Sequence, residues 1–394
     1  MRSIKDLDVS GKKVLVRVDF NVPFDENGNI TDDIRIREVL PTLRHVLDKG
    51  GILILMSHLG RPKGKKNPEF TLAPVAAYLE AIFKDQVKMA PDCIGPEVRK
   101  MVDALRPGGI LLLENLRFYP EEEKNDDAFA RELASLCDIY VNNAFAVSHR
   151  AHASVAAITK YAPQSVAGFL LITELDYFHA AMENPRRPLA AVVGGAKVSS
   201  KLGALKNMLN RVDKLIIGGA MANTFLKSQG VAVGKSLVEE ELIPEAVEIL
   251  RQAAQKGVKV YLPVDVVVAA RIDAKAESKI VPVQEIPENW IALDIGPASS
   301  RLFAEALDDA KTIVWNGPMG MFEMDAFSQG TVSMVHSIGN AHALTIVGGG
   351  DTDVAVHSTG QSDRFSYIST GGGAFLHLME GKILPGAAAL DNVK

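Results

Sequence analysis

The sequence predicts an α/β protein with two doubly wound, parallel-sheet (Rossmann-like) domains joined by a hinge. Short and almost continuously apolar runs alternate with amphipathic helical patterns, as expected of parallel strands that helices cover on both faces. Loops rich in glycine, arginine and histidine follow the apolar runs, and ligands of doubly wound sheets bind at the carboxyl ends of the strands. A chain of 394 residues is long enough for about two or three domains.

The first half of the chain is predicted to contain four buried strands with helices between them. The strands are expected at Lys13–Val18, Gly51–Met56, Gly109–Leu113 and Ile139–Asn142. The helices are expected at Asp33–Leu47, near Ala73–Phe83 and at Asp126–Leu136. In the first helix, apolar residues from Ile36 to Leu47 recur at helical spacing, which indicates one buried face.

The second half repeats this architecture with different loops. Its strands are expected at Leu189–Val193, Lys214–Ile217, Val258–Leu262, Thr312–Trp315 and Ala343–Val347, with a further apolar run from Tyr367. We expect the domain boundary in or beside Pro185–Pro188 and an interdomain helix across Thr173–Ala181.

The composition is that of an ordinary soluble protein, with 47% hydrophobic and 23% charged residues. A formal net charge of −5 gives no whole-chain case for nucleic-acid binding, so an acidic ligand would need local clusters of Arg and Lys. Cys93 and Cys137 are the only cysteines and have no CxxC spacing, which argues against a disulfide framework or a zinc cluster. The N-terminus lacks an apolar signal core, and no apolar run approaches the roughly 20 residues of a membrane-spanning helix. We therefore expect a cytoplasmic protein that binds neither nucleic acid nor membranes.

Two glycine triplets, Gly348–Gly350 and Gly371–Gly373, end successive apolar runs and lead into predicted helices. Glycine leaves backbone N–H groups uncovered, and a helix start adds unpaired donors and the positive end of a dipole, which together suit phosphate. Asp351 and Thr352 follow the first triplet, and a carboxylate and a hydroxyl of this kind hold Mg²⁺ beside a nucleotide. A single triplet is more often a structural turn, but two at successive strand ends favour phosphate chemistry.

The loops at the strand ends of the first half are basic. They contain Arg35 just past the first loop, Arg61, Arg117 and Arg150 at the ends of the next three, and His58 and His149 in the same loops. Guanidinium groups fit phosphate and carboxylate oxygens, so their convergence predicts a site for a phosphorylated acid. The alternative is that each arginine caps its own helix or pairs with a nearby carboxylate.

Lys197 and Lys201 follow Gly194–Gly195 after a predicted strand. Four residues apart on a starting helix, the two lysines are expected on one face, where they would contact a polyphosphate. An ordinary solvated face is the alternative.

Several other motifs do not fit. Gly230–Ser236 resembles a P-loop but has three residues between its glycines where the motif needs four, and it follows a predicted helix. No GxGxxG follows a strand and no GxSxG is present, which disfavours dinucleotide binding and a serine nucleophile of that kind. A metal at His149 and His152 is disfavoured because no acidic or Cys partner has ligand spacing.

Segments along essentially the whole chain resemble phosphoglycerate kinases, in the same order. They are Arg17–Pro23, Ser57–Pro62, Glu114–Phe118, Gly194–Val198, Trp315–Pro318, Gly349–Thr352 and Ser369–Gly373. As a set these motifs are highly specific. One departure is Val147–Ser148, where many relatives carry Gly-Thr or Gly-Ala, and it leaves His149, Arg150 and His152 in place.

The resemblance implies reversible phosphoryl transfer from 1,3-bisphosphoglycerate to ADP, giving 3-phosphoglycerate and ATP. The residues that it implies for phosphoglycerate binding are Asp19, Asn21, Arg35, His58, Arg61, Arg117 and Arg150. Those that it implies for the nucleotide are Lys201, Gly218, Gly219, Asn316, Pro318, Glu323, Gly349, Gly350, Asp351 and Thr352, with Asp351 on Mg²⁺, Glu323 toward the ribose and Gly218 and Gly219 at the adenine. Those implied around the transferring phosphoryl group are Arg35, Lys197, Lys201, Gly372 and Gly373.

The implied domains are a phosphoglycerate-binding domain of residues 1–172, a hinge at 173–187 and a nucleotide-binding domain of residues 188–383. Residues 384–394 are implied to return to the first domain. Because the two substrates would bind to separate domains, the domains would close before in-line transfer and keep water from the acyl phosphate. A carboxylate acceptor needs no general base, so positioning and charge neutralisation remain. A moving cleft is compatible with a monomer.

Two other functions remain as alternatives. A nicotinamide-dependent dehydrogenase can also have two α/β domains, and the missing GxGxxG disfavours it. A non-catalytic, two-lobed binding protein for phosphorylated acids would need neither Lys197 and Lys201 nor Asp351. It would usually be exported, and no signal segment is evident.

Overall fold

The computed structural model describes residues 1–84 and 86–391. Within them the strands are β1 (Lys13–Arg17), β2 (Ile52–Met56), β3 (Val87–Met89), β4 (Ile110–Leu112), β5 (Ile139–Asn142), β6 (Ser165–Ala167), β7 (Leu189–Val193), β8 (Lys214–Ile217), β9 (Lys259–Tyr261), β10 (Asp265–Ala269), β11 (Ser278–Pro282), β12 (Ile291–Ile295), β13 (Thr312–Asn316), β14 (Leu344–Gly348) and β15 (Tyr367–Ser369). The α-helices are α1 (Ile34–Asp48), α2 (Ala73–Phe83), α3 (Pro96–Ala104), α4 (Pro120–Glu123), α5 (Asp127–Ala134), α6 (Phe169–Met182), α7 (Leu202–Met208), α8 (Met221–Ser228), α9 (Ile243–Lys256), α10 (Pro297–Leu307), α11 (Gln329–Gly339), α12 (Gly350–Ser358), α13 (Gly372–Met379) and α14 (Pro385–Asp391).

The chain forms two compact units. Unit 1 consists of Met1–Leu175 and the segment from Ile383 onward, and unit 2 consists of Asp176–Lys382. No helix of the described residues is both long enough and apolar enough to cross a membrane.

Unit 1 is built on a six-stranded parallel sheet in the order β3-β4-β2-β1-β5-β6. The central strand β1 pairs with β2 and β5, so that Arg17 lies opposite both Met56 and Asn142. Every residue of β2 and β5 is buried, because helices cover both faces of a parallel sheet. The parallel strands bring the loops that follow β1, β2, β4 and β5 to one edge of the sheet.

Unit 2 contains a second six-stranded parallel sheet, in the order β15-β14-β13-β7-β8-β9. Asn316, the last residue of β13, lies opposite Val193, the last residue of β7. The strand ends that precede Gly194, Gly218, Gly317 and Gly349 therefore lie at the same edge. The two parallel sheets confirm the predicted fold class.

The sequence analysis missed five strands. Three of them, β11, β10 and β12, form a separate antiparallel sheet in unit 2. Its strand β11 is largely exposed, so it lacks the apolar run of a buried strand. The edge strands β3 and β6 have three residues each, which is too short for a periodic signal.

The C-terminal helix α14 packs within unit 1 against β6 and the turn at Ala157–Lys160. The amide of Gly386 donates to the carbonyl oxygen of Ser148 at 2.9 Å, and the amino group of Met1 lies 3.3 Å from the carboxylate of Asp391. Residues 392–394 of the predicted returning segment lie outside the described residues. The division at 1–172, 173–187 and 188–383 remains a prediction about which residues move together.

Candidate active site

In unit 1, the loops after β1 and β2 are joined by polar contacts at the start of α1. Arg35 donates from Nη1 to Asp19 Oδ2 at 2.8 Å and to the carbonyl oxygen of Asn21 at 3.2 Å. The side-chain oxygen of Asn21 accepts from the amide of Gly60 at 2.7 Å. Three of the predicted residues, Asp19, Asn21 and Arg35, therefore form one bonded group.

Arg17 is the functional candidate that the sequence analysis missed. It is fully buried, and its Nη2 lies 3.2 Å from Nδ1 of His58. Its Nε donates to Ser154 Oγ at 2.9 Å, and its Nη1 donates to the carbonyl oxygen of Val18. A charged residue inside an otherwise apolar strand was the available signal, because a buried guanidinium needs partners.

Arg117 has buried donor groups without a hydrogen-bond acceptor. The side chain is 4% exposed and donates from Nη1 to the carbonyl oxygen of Gly60 at 2.8 Å. Its Nε lies 3.5 Å from Oε1 of Glu123 without forming a hydrogen bond, and its Nη2 has no hydrogen-bond acceptor among the described residues. Burial first, and then the charges of Arg150 and Arg17, lower the pKa of Arg117 to about 10. Unsatisfied buried donors beside other cations suit a multivalent anion.

Two histidines of this region, His58 and His152, are held neutral. Burial, followed by the positive charge of Arg17, Arg117, Arg150 and Arg35, brings the pKa of His58 well below its ordinary value. Burial and the same kind of neighbours lower the pKa of His152 to about 3. Both rings therefore remain uncharged near neutral pH, and His58 accepts a hydrogen bond from Arg17.

The remaining basic residues differ in their surroundings. Arg150 is half-buried and its Nε lies 3.2 Å from Nε2 of His149. Arg61 is exposed in the loop next to Gly60. Arg35, Arg117 and Arg150 all act electrostatically on His58, so these three predicted arginines do converge.

In unit 2, the ammonium group of Lys201 lies at the carboxyl end of β13. Its ammonium group donates to the carbonyl oxygen of Asn316 at 3.1 Å and also to the Asn316 side chain. Burial lowers the pKa of Lys201 to about 8, and the charge of Asp351 opposes that shift. Lys201 therefore lies near Asn316 and Asp351, which were both predicted to bind the nucleotide.

The expectation that Lys197 and Lys201 share a helix face is wrong. Helix α7 begins at Leu202, and Lys201 is only its N-cap residue. Lys197 is exposed in the preceding loop, where the amide of Ser199 donates to Glu239 Oε2 at 3.0 Å. This contact and the positive φ of Gly195, 110°, divert the chain from helical geometry.

Close backbone approaches explain the glycines that follow β8 and β13. Gly219 has φ 68°, and a Cβ there would lie 2.5 Å from the amide nitrogen of Gly195. Gly317 has φ 101°, and a Cβ there would lie 2.2 Å from the carbonyl oxygen of Gly194. The backbone of three strand-end loops is thus packed with no room for side chains, which leaves peptide groups as the surface that a ligand would meet.

The two glycine triplets lead directly into α12 and α13, as predicted. Gly349 is the N-cap residue of α12 and Gly371 that of α13. A Cβ on Gly372 would lie 2.9 Å from Cα of Gly349 and 3.0 Å from the amide nitrogen of Gly350. The two helix starts are therefore adjacent, and their unpaired amides can act on one polyphosphate.

Thr352 and Asp351 have different roles in this geometry. Thr352 is fully buried, and its hydroxyl oxygen accepts from the amide of Gly317 at 2.7 Å. Asn316 similarly donates from Nδ2 to the carbonyl oxygen of Gly348 at 2.6 Å. Asp351 is exposed, so its carboxylate is the one open to a cation. The described residues contain no group of three or more His, Cys, Asp or Glu side chains that could hold a metal.

A small pocket beside Gly219 is lined by Asn223, Leu293, Asp294 and Met319. The carboxylate of Asp294 accepts from the amides of Gly330 at 2.7 Å and Ile295 at 2.9 Å. Burial raises the pKa of Asp294 to about 7. Neither Asp294 nor Met319 was predicted, because both belong to segments that lack a sequence motif.

Two further predicted residues, Gly218 and Pro318, adjoin this region. Gly218 is buried, and a Cβ on it would lie 2.3 Å from Sδ of Met319. The carbonyl oxygen of Pro318 accepts from the amide of Gly195 at 2.9 Å. Glu323 and Gly373 are exposed.

Comparisons with known proteins agree with one another. The family model described as phosphoglycerate kinase matches residues 4–382. A phosphoglycerate kinase of Desulfotalea psychrophila is 61% identical over 391 residues, and the match covers 99% of this chain and 100% of the relative. A phosphoglycerate kinase of Geobacter metallireducens is 60% identical over 392 residues, and the match covers 99% of this chain and 98% of the relative. The solved structure of phosphoglycerate kinase from Coxiella burnetii has a TM-score of 0.90 and 43% identity, and covers 100% of this chain and 99% of that chain.

Proposed function

This chain belongs to the phosphoglycerate kinase family and is a phosphotransferase, and we propose how its two sets of strand-end loops divide the reaction between them. The reaction is reversible phosphoryl transfer from 1,3-bisphosphoglycerate to ADP, giving 3-phosphoglycerate and ATP. The observation that supports this division is the contrast between the units. Unit 1 has clustered guanidiniums with unsatisfied donors at Arg117, and unit 2 has two adjoining helix starts beside Lys201.

The phosphoglycerate is proposed to bind to unit 1. Arg117 and Arg150 would neutralise its phosphate, since guanidiniums bind phosphate oxygens in pairs of hydrogen bonds. Neutral His58 and the bonded group of Asp19, Asn21 and Arg35 would orient the hydroxyl and carboxylate. Arg61 would approach from its exposed loop.

The nucleotide is proposed to bind to unit 2. The amides of Gly349, Gly350, Gly372 and Gly373 would hold the phosphates together with Lys197 and Lys201. The pocket at Gly218 and Gly219 would bind the adenine, and Glu323 would bind the ribose. Asn316 and Pro318 would hold the backbone of the nucleotide-binding loops in place through their hydrogen bonds to Gly348 and Gly195. Asp351 would hold the Mg²⁺ ion, which when bound neutralises charge on the nucleotide phosphates.

The transfer itself requires positioning and charge compensation more than acid–base chemistry. The acceptor in the direction of 1,3-bisphosphoglycerate synthesis is a carboxylate, already ionised at neutral pH, so no general base is needed. Lys197, Lys201, Arg35 and the amides of Gly372 and Gly373 would stabilise charge on the equatorial oxygens of the moving phosphoryl group. Because Arg35 belongs to unit 1 and the lysines to unit 2, the proposal requires the units to close together around a hinge at 173–187.

A coupled assay of ATP consumption with 3-phosphoglycerate tests the reaction. Activity that depends on both substrates and on Mg²⁺ is expected, and no activity in the presence of both would refute the proposal. NADH fluorescence titration tests the dehydrogenase alternative, for which no binding is expected. Small-angle scattering tests closure, which predicts a smaller radius of gyration only when both substrates are present. We further propose a cytoplasmic monomer, for which size-exclusion chromatography gives the oligomeric state.

A further inference from the structure

A buried carboxylate lies beneath the basic loops of unit 1 and has no part in the proposed chemistry. Glu122, in α4, is fully buried. Its Oε2 accepts from the amide of Ser154 at 2.9 Å, and its Oε1 accepts from the Ser154 hydroxyl at 2.6 Å. The backbone carbonyl oxygen of Glu122 accepts from the amide of Ala153 at 2.9 Å. These contacts fix the carboxylate to the segment that follows His152.

Ser154 connects this carboxylate to Arg17. The serine hydroxyl accepts from Nε of Arg17 at 2.9 Å while it donates to Glu122. The carbonyl oxygen of Ser154 accepts from the hydroxyl of Tyr140 at 2.8 Å. With its donor and acceptor capacities used on both sides, Ser154 has one orientation, and it sets the direction of the Arg17 guanidinium.

From Arg17 the polar contacts continue to the residues proposed to bind the acid. Nη2 of Arg17 lies 3.2 Å from Nδ1 of His58, and that Nδ1 lies 3.6 Å from Oδ1 of Asp19. Oδ2 of Asp19 accepts from Nη1 of Arg35 at 2.8 Å. Hydrogen bonds therefore run from Glu122, deep in unit 1, through Ser154 and Arg17 to His58. The Nδ1 atom of His58 accepts from Arg17 and has no proton to donate, so Asp19, 3.6 Å away, lies beside the ring without a hydrogen bond to that atom.

The charge of Glu122 also fits this position. Its Oε1 lies 3.8 Å from Nδ1 of His152, and Arg17 and Arg117 both act on it electrostatically. Burial raises the pKa of Glu122, and the two arginines and the Ser154 donors oppose that rise. A buried guanidinium without a nearby anion is unfavourable, so Glu122 compensates the cluster of cations before any substrate arrives.

Building on the proposed function, we propose that Glu122 is a positioning residue for the phosphoglycerate site. Through Ser154 it fixes Arg17, and through Arg17 it holds His58 in the orientation that receives the acid. Glu122 touches no reacting atom in this scheme. Its removal should therefore affect binding of the acid and leave binding of the nucleotide, which is proposed for unit 2, unchanged.

The test compares Glu122→Gln and Ser154→Ala with the control Glu121→Gln. Glutamine keeps the shape of Glu122 but removes its charge and places an amide donor opposite a donor of Ser154. The control removes one carboxylate from the preceding residue of the same helical turn. The readouts are the Kd of 3-phosphoglycerate by calorimetry, the KM of each substrate in the coupled assay, and the thermal midpoint.

We expect Glu122→Gln to raise the Kd and KM for 3-phosphoglycerate by about tenfold or more, since a misplaced partner of a buried charge has effects of that size or larger. Ser154→Ala should change them in the same direction by a smaller factor. In both variants the KM for ATP should stay within about twofold of the wild-type value. In Glu121→Gln the Kd and both KM values should also stay within about twofold of wild type, as is usual for substitutions outside a hydrogen-bond network.

The outcomes separate the two proposals. Wild-type protein without activity would refute the proposed function, whatever the variants do. Active wild type with variants that bind 3-phosphoglycerate normally would overturn the positioning role, even if the thermal midpoint falls, because that is the result of a purely structural carboxylate. Equal losses of affinity for the acid and for ATP would also overturn it.

Discussion

The ammonium group of Lys201 donates a hydrogen bond to the carbonyl oxygen of Asn316, 3.1 Å away, at the carboxyl end of β13. A Cβ added to the next residue, Gly317, would lie 2.8 Å from the same nitrogen. The strand end therefore holds a cation in place before the nucleotide binds, and only glycine leaves room for it. Preplaced charge needs little reorganisation when the phosphoryl group moves.

The first prediction concerns pH. Burial lowers the pKa of Lys201 from its ordinary value of 10.5 to about 8, so the folded enzyme loses this charge as pH rises through 8. The value of kcat/KM for ATP should then fall by up to about tenfold per pH unit above 8, as for loss of a single required proton. The unfolded chain keeps the proton to higher pH, so the free energy of unfolding should rise as pH increases from 8 to 10.5, because the cost of burying this charge is lost.

Steady-state kinetics between pH 7 and 10 check this prediction. Lys201→Met is the control, because its low residual kcat/KM should lack this pH dependence. A wild-type profile that stays flat to pH 10 would show that Lys201 keeps its proton or is not needed.

The second prediction is that Lys197→Ala lowers turnover far more than substrate affinity. Lys197 is exposed in a loop fixed by the Ser199–Glu239 contact, so its removal should leave the packing intact. Loss of one charge that stabilises the transition state typically lowers kcat by about 10²–10³-fold. Lys206→Ala is a matched control, because Lys206 pairs with Glu245 on α9 at 2.6 Å. Unchanged turnover in Lys197→Ala would refute the assigned role.

The third prediction separates binding from stability at Arg117. Its Nη2 has no hydrogen-bond acceptor among the described residues, while its Nη1 donates to Gly60 at 2.8 Å and its Nε lies 3.5 Å from the carboxylate of Glu123. Arg117→Met should therefore destabilise the ligand-free protein by no more than about 1–2 kcal/mol, roughly the contribution of one hydrogen bond. Affinity for 3-phosphoglycerate should fall by about 10²-fold or more, because a desolvated charge pair is lost. Calorimetry and urea denaturation measure the two quantities.

Arg37→Met is the control for this prediction. Arg37 is exposed and pairs with Asp33 at 2.8 Å within the same helix, so both quantities should stay close to those of the wild type. A large loss of stability with unchanged affinity in Arg117→Met would mean that Arg117 is a structural residue.

The fourth prediction compares two glycines of the nucleotide loops. A Cβ on Gly372 would press on the backbone of Gly349 and Gly350, whereas a Cβ on Gly350 would meet nothing within 4 Å. Gly372→Ala should therefore lower the free energy of unfolding by about 1–3 kcal/mol, the usual effect of overpacking, and weaken ATP binding. Gly350→Ala should leave stability unchanged or slightly higher, since alanine favours a helix start over glycine. Equal stability of the two variants would contradict the close packing of the N-terminus of α13 against that of α12.

The fold class and most strand-end residues could be predicted from the sequence. Asp19, Arg35 and Arg117 in unit 1 and Asp351 in unit 2 follow apolar strands, and parallel pairing brings such positions to one edge of each sheet. Arg17 and Glu122 were not predicted as part of the site, and the only signal was the charge of Arg17 within a buried strand. Their partners lie far along the chain, and a charged side chain in a strand or a short helix carries no motif.

The relative positions of Lys197 and Lys201 could not be predicted from the sequence, because they also depend on a contact with a distant residue. A four-residue spacing places two side chains on one face only if the intervening residues are helical. Here the backbone of Gly195 and the contact from Ser199 to Glu239, 40 residues further on, hold the segment as a loop. Long-range contacts of this kind override local periodicity.

The position of α14 has a consequence for biosynthesis. Unit 2 is continuous in the chain, whereas unit 1 needs the segment from Ile383 onward to cover β6 and the turn near Ser148. A ribosome releases the chain from its N-terminus at about 5–20 residues per second, so the six-stranded sheet of unit 1 emerges first but its last helix emerges after all of unit 2. The nascent loop that carries His149 and Arg150 therefore gains its final support only after all of unit 2 has been synthesised.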